Sequence, residues 1–221
     1  AAIFTLSLAG YMPVWEPLLI YALGTLWYGL FNWFWFWIWR EQPLRESLSL
    51  LYRELADYCE AKYSLLTQHT DPEKALPPLL VRQQKAVDLI TQCYQQMHML
   101  SAQNNTDYKR MLRIFQEALD LQEHISVSLH QPEEVQKLVE RSHAEEVIRW
   151  NAQTVAARLR VLADDILYHR LPTRFTMEKQ IGALEKIARQ HPDNPVGQFC
   201  YWHFSRIARV LRTQKPLYAR D

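Results

Sequence analysis

The chain has only five glycines and three cysteines in 221 residues. Four of the glycines lie before position 183, and a β-sandwich or a dinucleotide-binding α/β unit needs more turn glycines than that. Cys59, Cys93 and Cys200 are far apart and form no CxxC pair, which argues against a disulfide framework and fits a reducing compartment. No GxGxxG, Walker loop, HExxH or GxSxG occurs, so neither enzymatic activity nor a cofactor is expected. Formal charge is scarce in the first 40 residues, where Glu16 and Arg40 alone carry it. Residues 41–221 hold the other 24 Lys and Arg against 23 Asp and Glu, a balance that gives no reason to expect nucleic acid as a partner.

Aromatic rings fill the space the charges leave. Six of the eight Trp residues fall in the first 40 positions. From Leu18 to Trp39 the chain runs 22 residues without a formal charge, about 33 Å as a helix, enough to cross a hydrocarbon core of about 30 Å. Residues 1–40 are therefore expected to be a transmembrane segment. Ala1–Met12, apolar but too short to span, reads as the second half of a preceding transmembrane helix. Pro13–Pro17 reads as a tight turn, and residues 18–39 as a complete helix. The turn has no basic residue, whereas Arg40, Arg45 and Arg53 follow Trp39. The positive-inside rule then puts residues 41–221 in the cytoplasm. Within the run, Trp33, Trp35, Trp37 and Trp39, ending at Arg40, read as an aromatic belt at the inner interface, with Trp15 at the outer one. The sharper alternative is that Trp33 and Trp35 line a path for an aromatic substrate. Asn32 is the one amide in the run and suits a hydrogen bond between helices. The lipid bilayer and other transmembrane helices of the same longer chain are the expected partners.

Beyond residue 40 the apolar period is helical throughout. Leu44, Leu48, Leu51, Leu55, Tyr58 and Leu65 form one row, and Tyr52, Ala56, Cys59, Tyr63 and Leu66 form a second beside it. Two adjacent rows imply a helix buried over a wide face, running to about Gln68. Pro77-Pro78 is expected to open the next helix, with Leu80 or Val81, Val87, Ile90, Tyr94, Met97 and Leu100 inward. Thr106 is a plausible N-cap for a third, carrying Met111, Phe115, Ala118, Leu119, Gln122 and Ile125. A short helix over 132–140 precedes a long one over about 142–168, whose inward residues are Ala144, Ile148, Val155, Leu159, Leu162 and Ile166. Thr176 is expected to cap the next, with Ile181, Leu184 and Ile187 on one face, and the last shows Phe199, Cys200, Phe204, Ile207 and Leu211. Short Pro- or Asn-containing turns join them. The fold class expected is all-α: transmembrane helices followed by an antiparallel multi-helix cytoplasmic bundle over 41–221.

Residues suited to chemistry are few. Glu140 and His143 have the spacing of half a di-iron site, but no second copy exists, so no metal is expected. Asp164 and Asp165 diverge by about 100° on a helix and read as a solvated face. Arg206, Arg209, Arg212 and Lys215 form a basic row suited to a helix C-terminus or to anionic lipid.

Residues 40–62 carry a resemblance. Pro43, Leu44, Tyr52, Leu55, Ala56, Tyr58 and Lys62, directly after an aromatic-rich apolar helix, resemble the entry to the first cytoplasmic region of YccS/YhfK-type bacterial inner-membrane proteins. These belong to the fusaric acid resistance (FUSC) or aromatic acid exporter superfamily, and the rest of the chain is similar too. The resemblance implies a multi-pass protein of the bacterial inner membrane and an efflux transporter of small aromatic organic acids. The alternative is a membrane-anchored helical scaffold or oligomerisation module without transport activity. A homo-oligomer is expected in either case.

Overall fold

The computed structural model describes residues 15–38, 41–67, 72–100, 106–126, 137, 139–140, 144–170, 175–193 and 195–213. Among these it contains α1 (Trp15–Ile38), α2 (Gln42–Thr67), α3 (Pro72–Leu100), α4 (Thr106–Ser126), α5 (Glu145–Leu167), α6 (Glu178–Gln190) and α7 (Pro195–Thr213). No strand occurs among the described residues. The chain divides into two compact units, Ala1–Pro43 and Leu44–Asp221.

In the first unit, α1 begins earlier than the proline pattern suggests. Trp15, Glu16 and Pro17 form its first turn and not part of a connecting turn. The first four N–H groups of a helix have no intrahelical partner, so Pro17 sacrifices nothing by lacking one. The expected half-helix Ala1–Met12 and the end of the Trp run, Trp39 and Arg40, lie outside the described residues. Every large apolar side chain described from Leu18 to Trp35 is exposed, from 49% at Leu19 and Trp35 to 73% at Trp27. Yet among the described residues no helix is long and apolar enough to cross a membrane, so the complete transmembrane helix expected over 18–39 is not met on that measure. At 24 residues α1 does not fall short in length. Its Trp and Tyr rings have polar tips, and with Asn32 they lower the mean hydropathy without adding charge.

The second unit is built around α2. Both expected rows are buried on it, from Leu44 to Leu66. The two rows give α2 a surface wide enough to touch several helices. Tyr52 Oη donates to the Ile114 carbonyl at 3.0 Å, and Lys62 Nζ donates to the Ile125 carbonyl, so α2 and α4 run the same way. Arg53 pairs with Asp164 of α5, and Arg160 with Asp57 and Glu60. The reversed order makes α5 antiparallel to α2. The Tyr63 ring lies 4.6 Å from that of Phe204 on α7.

α3 departs most from the sequence pattern. It starts at Pro72, and Pro77 and Pro78 lie inside it. Proline at those positions removes two backbone hydrogen bonds, but Ala75 and Leu79 on the same segment pack against the core. Its buried residues are Ala86, Cys93, Met97 and Leu100. Of the expected inward row, Met97 and Leu100 are thus buried and Ile90 is partly covered, whereas Val87, Tyr94 and both candidates for the first place, Leu80 and Val81, are exposed. The helix has two apolar faces, and the one carrying Ala86, Cys93, Met97 and Leu100 packs.

The other helices follow their patterns closely. On α4 the buried set is Met111, Ile114, Phe115, Ala118, Leu121 and Ile125, with Leu119 only partly covered. Thr106 is the first residue of α4. All six inward residues expected for α5 are buried. α5 ends in a left-handed residue, His169, at φ 55°. The Arg170 N–H returns to the Asp165 carbonyl at 2.9 Å, the bond of a Schellman cap, in which glycine is the usual left-handed residue. Of the short helix expected over 132–140, only Lys137, Val139 and Glu140 are described, and they are helical. Thr176 does not cap α6: Met177 is the N-cap and makes no side-chain cap bond. α7 packs closely on α6; a Cβ on Gly197 would lie 3.4 Å from Ala188 Cα, ordinary contact.

Candidate functional site

Two places combine polar groups with a special setting. One is a face of α1; the other is the interior and surface of the α2-centred unit.

Helical geometry puts Tyr21, Gly24, Thr25, Tyr28, Asn32 and Trp35 on one face of α1, at spacings of three and four. Gly24 and Gly29 have no side chain, and a Cβ on either would meet nothing within 4 Å. They leave a groove of about 350 Å³ lined by Ile20, Tyr21, Gly24, Thr25, Tyr28 and Gly29. Thr25 Oγ1 donates to its own helix, to the carbonyls of Tyr21 at 3.0 Å and Ala22 at 2.9 Å. Its hydroxyl therefore tolerates an apolar setting. Phe31 stacks on Trp35, with ring centroids 5.9 Å apart and planes at 21°. Asn32 and Trp35 thus share a face, whereas Trp33, one residue after Asn32, points about 100° away from it. Trp33 and Trp35 do not line one surface of α1. The Trp37 side chain, Trp39 and Arg40 lie outside the described residues. Sequence reading picked Asn32 and the Trp run; the helix sets Tyr21, Thr25 and Tyr28 on the Asn32 face, at a three-and-four spacing of side chains with polar tips.

In the second unit, an acidic row on α2 links its neighbours. Glu54, only 5% exposed, meets Lys85 at 2.5 Å and Arg82 at 3.6 Å. Asp57 takes Arg82 at 3.3 Å and Arg160 at 2.7 Å, and Glu60 takes Arg160 at 2.7 Å. Asp164 likewise pairs with Arg53 at 2.6 Å. Asp165 is a correction to the solvated-face expectation. It is buried, burial raises its carboxyl pKa, and its Oδ2 has no hydrogen-bond partner among the described residues. It lines a cavity of about 20 Å³ with Arg45, Asp107, Arg110 and His169, room for about one water.

Deeper inside, Lys62 of α2 lies close to Cys59 and Cys200. Burial pushes the Lys62 ammonium down to about 8, even though its bond to a carbonyl favours the charged form. Burial also pushes the Cys59, Cys93 and Cys200 thiols up to about 12. They are buried small apolar groups, as expected of cysteines on inward faces. His203 is 1% exposed, its ring centroid 4.1 Å from that of Phe199. Burial, then the charge of Lys62, lowers it to about 4. The backbone of His124 leans towards the ring, but neither ring nitrogen reaches hydrogen-bonding geometry. Among the described residues, no group of three or more His, Cys, Asp or Glu is placed to hold a metal. His143 lies outside them.

With this geometry in view, the comparisons are decisive on kinship. A family model described as FUSC-like inner membrane protein yccS matches residues 1–219. The chain belongs to this FUSC-like family. No solved structure matches it. Membership makes it an inner membrane protein, related to membrane transporters, as the resemblance at residues 40–62 implied. Of the positions carrying that resemblance, Leu44, Tyr52, Leu55, Ala56, Tyr58 and Lys62 are all buried and Pro43 is exposed. The positions that carry the resemblance are thus mostly the core of α2, a structural signature.

Proposed function

We propose that α1 crosses the inner membrane and that the protein forms part of an efflux route for small aromatic organic acids, without enzymatic activity. In this reading the protein is multi-pass and residues 41–221 lie in the cytoplasm. The observation that carries the reading is the exposure of α1 around its whole circumference. In water such a surface would not stay dispersed; in lipid it is at its lowest free energy. At 24 residues α1 reaches about 36 Å, more than a hydrocarbon core of about 30 Å. The face of Tyr21, Thr25, Tyr28, Asn32 and Trp35 suits an aromatic acid: rings for stacking, and hydroxyl and amide donors for the carboxylate. The experiment is export of a radiolabelled aromatic acid from cells carrying the full gene, its deletion, or a Tyr28→Ala/Asn32→Ala double variant. Export should fall several-fold in the deletion and in the variant. Equal accumulation in all three strains would sink the transport reading.

The second reading, a membrane-anchored helical scaffold, is favoured by one observation, the outward row of α3. Leu80, Val87 and Tyr94 are exposed and spaced by seven, the period of a seam between paired helices. The partner argued from this period is α3 of a second copy. The row contains no ionised side chain, so two copies meet without like-charge repulsion. Self-association that survives Leu80→Ser/Val87→Ser would count against this partner.

A further inference from the structure

The close approach of Gly197 to Ala188 holds α7 against α6 at one end. At the other end, the start of α6 stands off from the last turns of α7 and leaves a cavity of about 210 Å³. Phe175, Met177, Ile181 and Ala208 give it an apolar lining. Arg209, Arg212 and Ser205 reach it from α7. Neither arginine forms an ion pair among the described residues. Arg206 on the same helix is engaged elsewhere, its guanidinium 4.2 Å over the Trp202 ring. Ser205 Oγ is buried with no hydrogen-bond partner among the described residues. The first N–H groups of α6, a helix of 13 residues, receive no side-chain cap from Met177. Two arginines, a serine whose buried hydroxyl has no partner among the described residues and the uncapped start of α6 thus border one cavity with an apolar lining.

We propose that this cavity binds a small organic monoanion with an apolar body, of the short-chain alkyl carboxylate type. The carboxylate is held by Arg209 and Arg212, whose planar forks match it. The first-turn N–H groups of α6 and the Ser205 hydroxyl supply further donors. The alkyl body lies on Phe175, Met177, Ile181 and Ala208. Glu178 also lines the cavity, and its charge disfavours a dianion, which selects a carboxylate over free phosphate. The inference stands apart from the reading of α1, since every residue it uses lies in the second unit.

Calorimetric titration of the purified full chain with hexanoate, hexanol and inorganic phosphate tests it. Hexanoate should bind saturably at one site, and hexanol and phosphate at least tenfold more weakly. Arg209→Ala/Arg212→Ala should weaken hexanoate at least tenfold; both side chains are exposed, so the fold is retained. Ala208→Leu, which fills the cavity from a position outside the charged cluster, should weaken it similarly. Glu178→Gln should tighten it about threefold. No saturable hexanoate binding, binding unchanged in the arginine and Ala208 variants, or phosphate binding tighter than hexanoate would each overturn the proposal.

Discussion

α1 and α2 are helices of nearly equal length, 24 and 26 residues, with opposite demands on their surroundings. Every described large apolar side chain of α1 from Leu18 to Trp35 is exposed, whereas α2 buries sixteen residues, among them Glu54 and Lys62. Both contain Tyr and Leu in quantity, but α2 also carries acidic and basic residues along its length, and α1 has none after Glu16. The arrangement differs as well. α2 alternates broad apolar rows with an acidic row whose charges all meet cations from other helices. α1 has no charge between Leu18 and Trp35 and distributes its rings around the whole circumference. A helix of the first kind folds by packing one wide face against protein; one of the second kind calls for cover on every side, from protein or from lipid.

The largest effect that would sharpen this contrast is in the core. Leu55 is completely buried, and Leu55→Ala should destabilise the helical unit by about 2–5 kcal/mol. Leu26, 62% exposed on α1, offers the matched control. Leu26→Ala leaves no cavity and should change the same unfolding free energy by less than about 0.5 kcal/mol. Denaturant unfolding followed by circular dichroism reads both. Comparable losses at the two sites would erase the distinction between the helices.

A smaller effect tests the buried histidine on α7. Folding holds the His203 pKa at about 4, below the ordinary value of about 6.5. Between those values the unfolded chain binds more protons than the folded one, so stability rises with pH across that window and is lost as pH falls through it. His203→Phe removes the titrating group and should flatten the dependence between pH 4 and 6.5. The groups facing the ring are Lys62 from α2, His124 from α4 and Arg206 from α7 itself. His124 is the other imidazole facing the ring, so His124→Gln is the control: it should leave most of the slope in place. A slope that survives His203→Phe and disappears with His124→Gln would assign the acid sensitivity to α4 instead.

Much of the helical unit was legible from residue spacing. The two rows of α2 and the inward row of α5 are strong because large side chains repeat on one face with polar residues opposite. α3 was misread in part because that contrast is missing there: Met97 and Leu100 are buried as their spacing implies, but Leu80, Val87 and Tyr94 are not. These three outweigh Ala86 and Cys93 in bulk, yet Ala86 and Cys93 face the core. Spacing reports how apolar a face is, not which face a neighbouring helix can approach, and small side chains allow the nearer approach. Asp165 was missed for a related reason. A carboxylate near a helix end reads as solvated, and only the left-handed turn at His169 and the cavity beside it place that carboxylate inside. On α1 the Trp run drew attention to ring count, while the Tyr21, Thr25, Tyr28 and Asn32 face depends on three-and-four spacing across glycines, a weaker mark than seven successive aromatic and apolar residues.

The smallest effect on stability is the one that asks most of α3. Leu80 and Val87 are exposed by 53% and 40%. Replacing both with Ser removes no core contact, and the unfolding free energy of the helical unit should move by less than about 0.5 kcal/mol. If the row is the seam between two copies, the same change should lower the apparent mass in detergent, measured by light scattering, from dimer to monomer. The two readings are independent, and their combination decides. Lost stability without a change in mass would mean the row belongs to the core of its own chain, and α3 would then resemble α2. Unchanged stability with a fall in mass would make α3 an intermediate case between the two helices compared above: one face covered within the helical unit, as in α2, and the other exposed, as in α1.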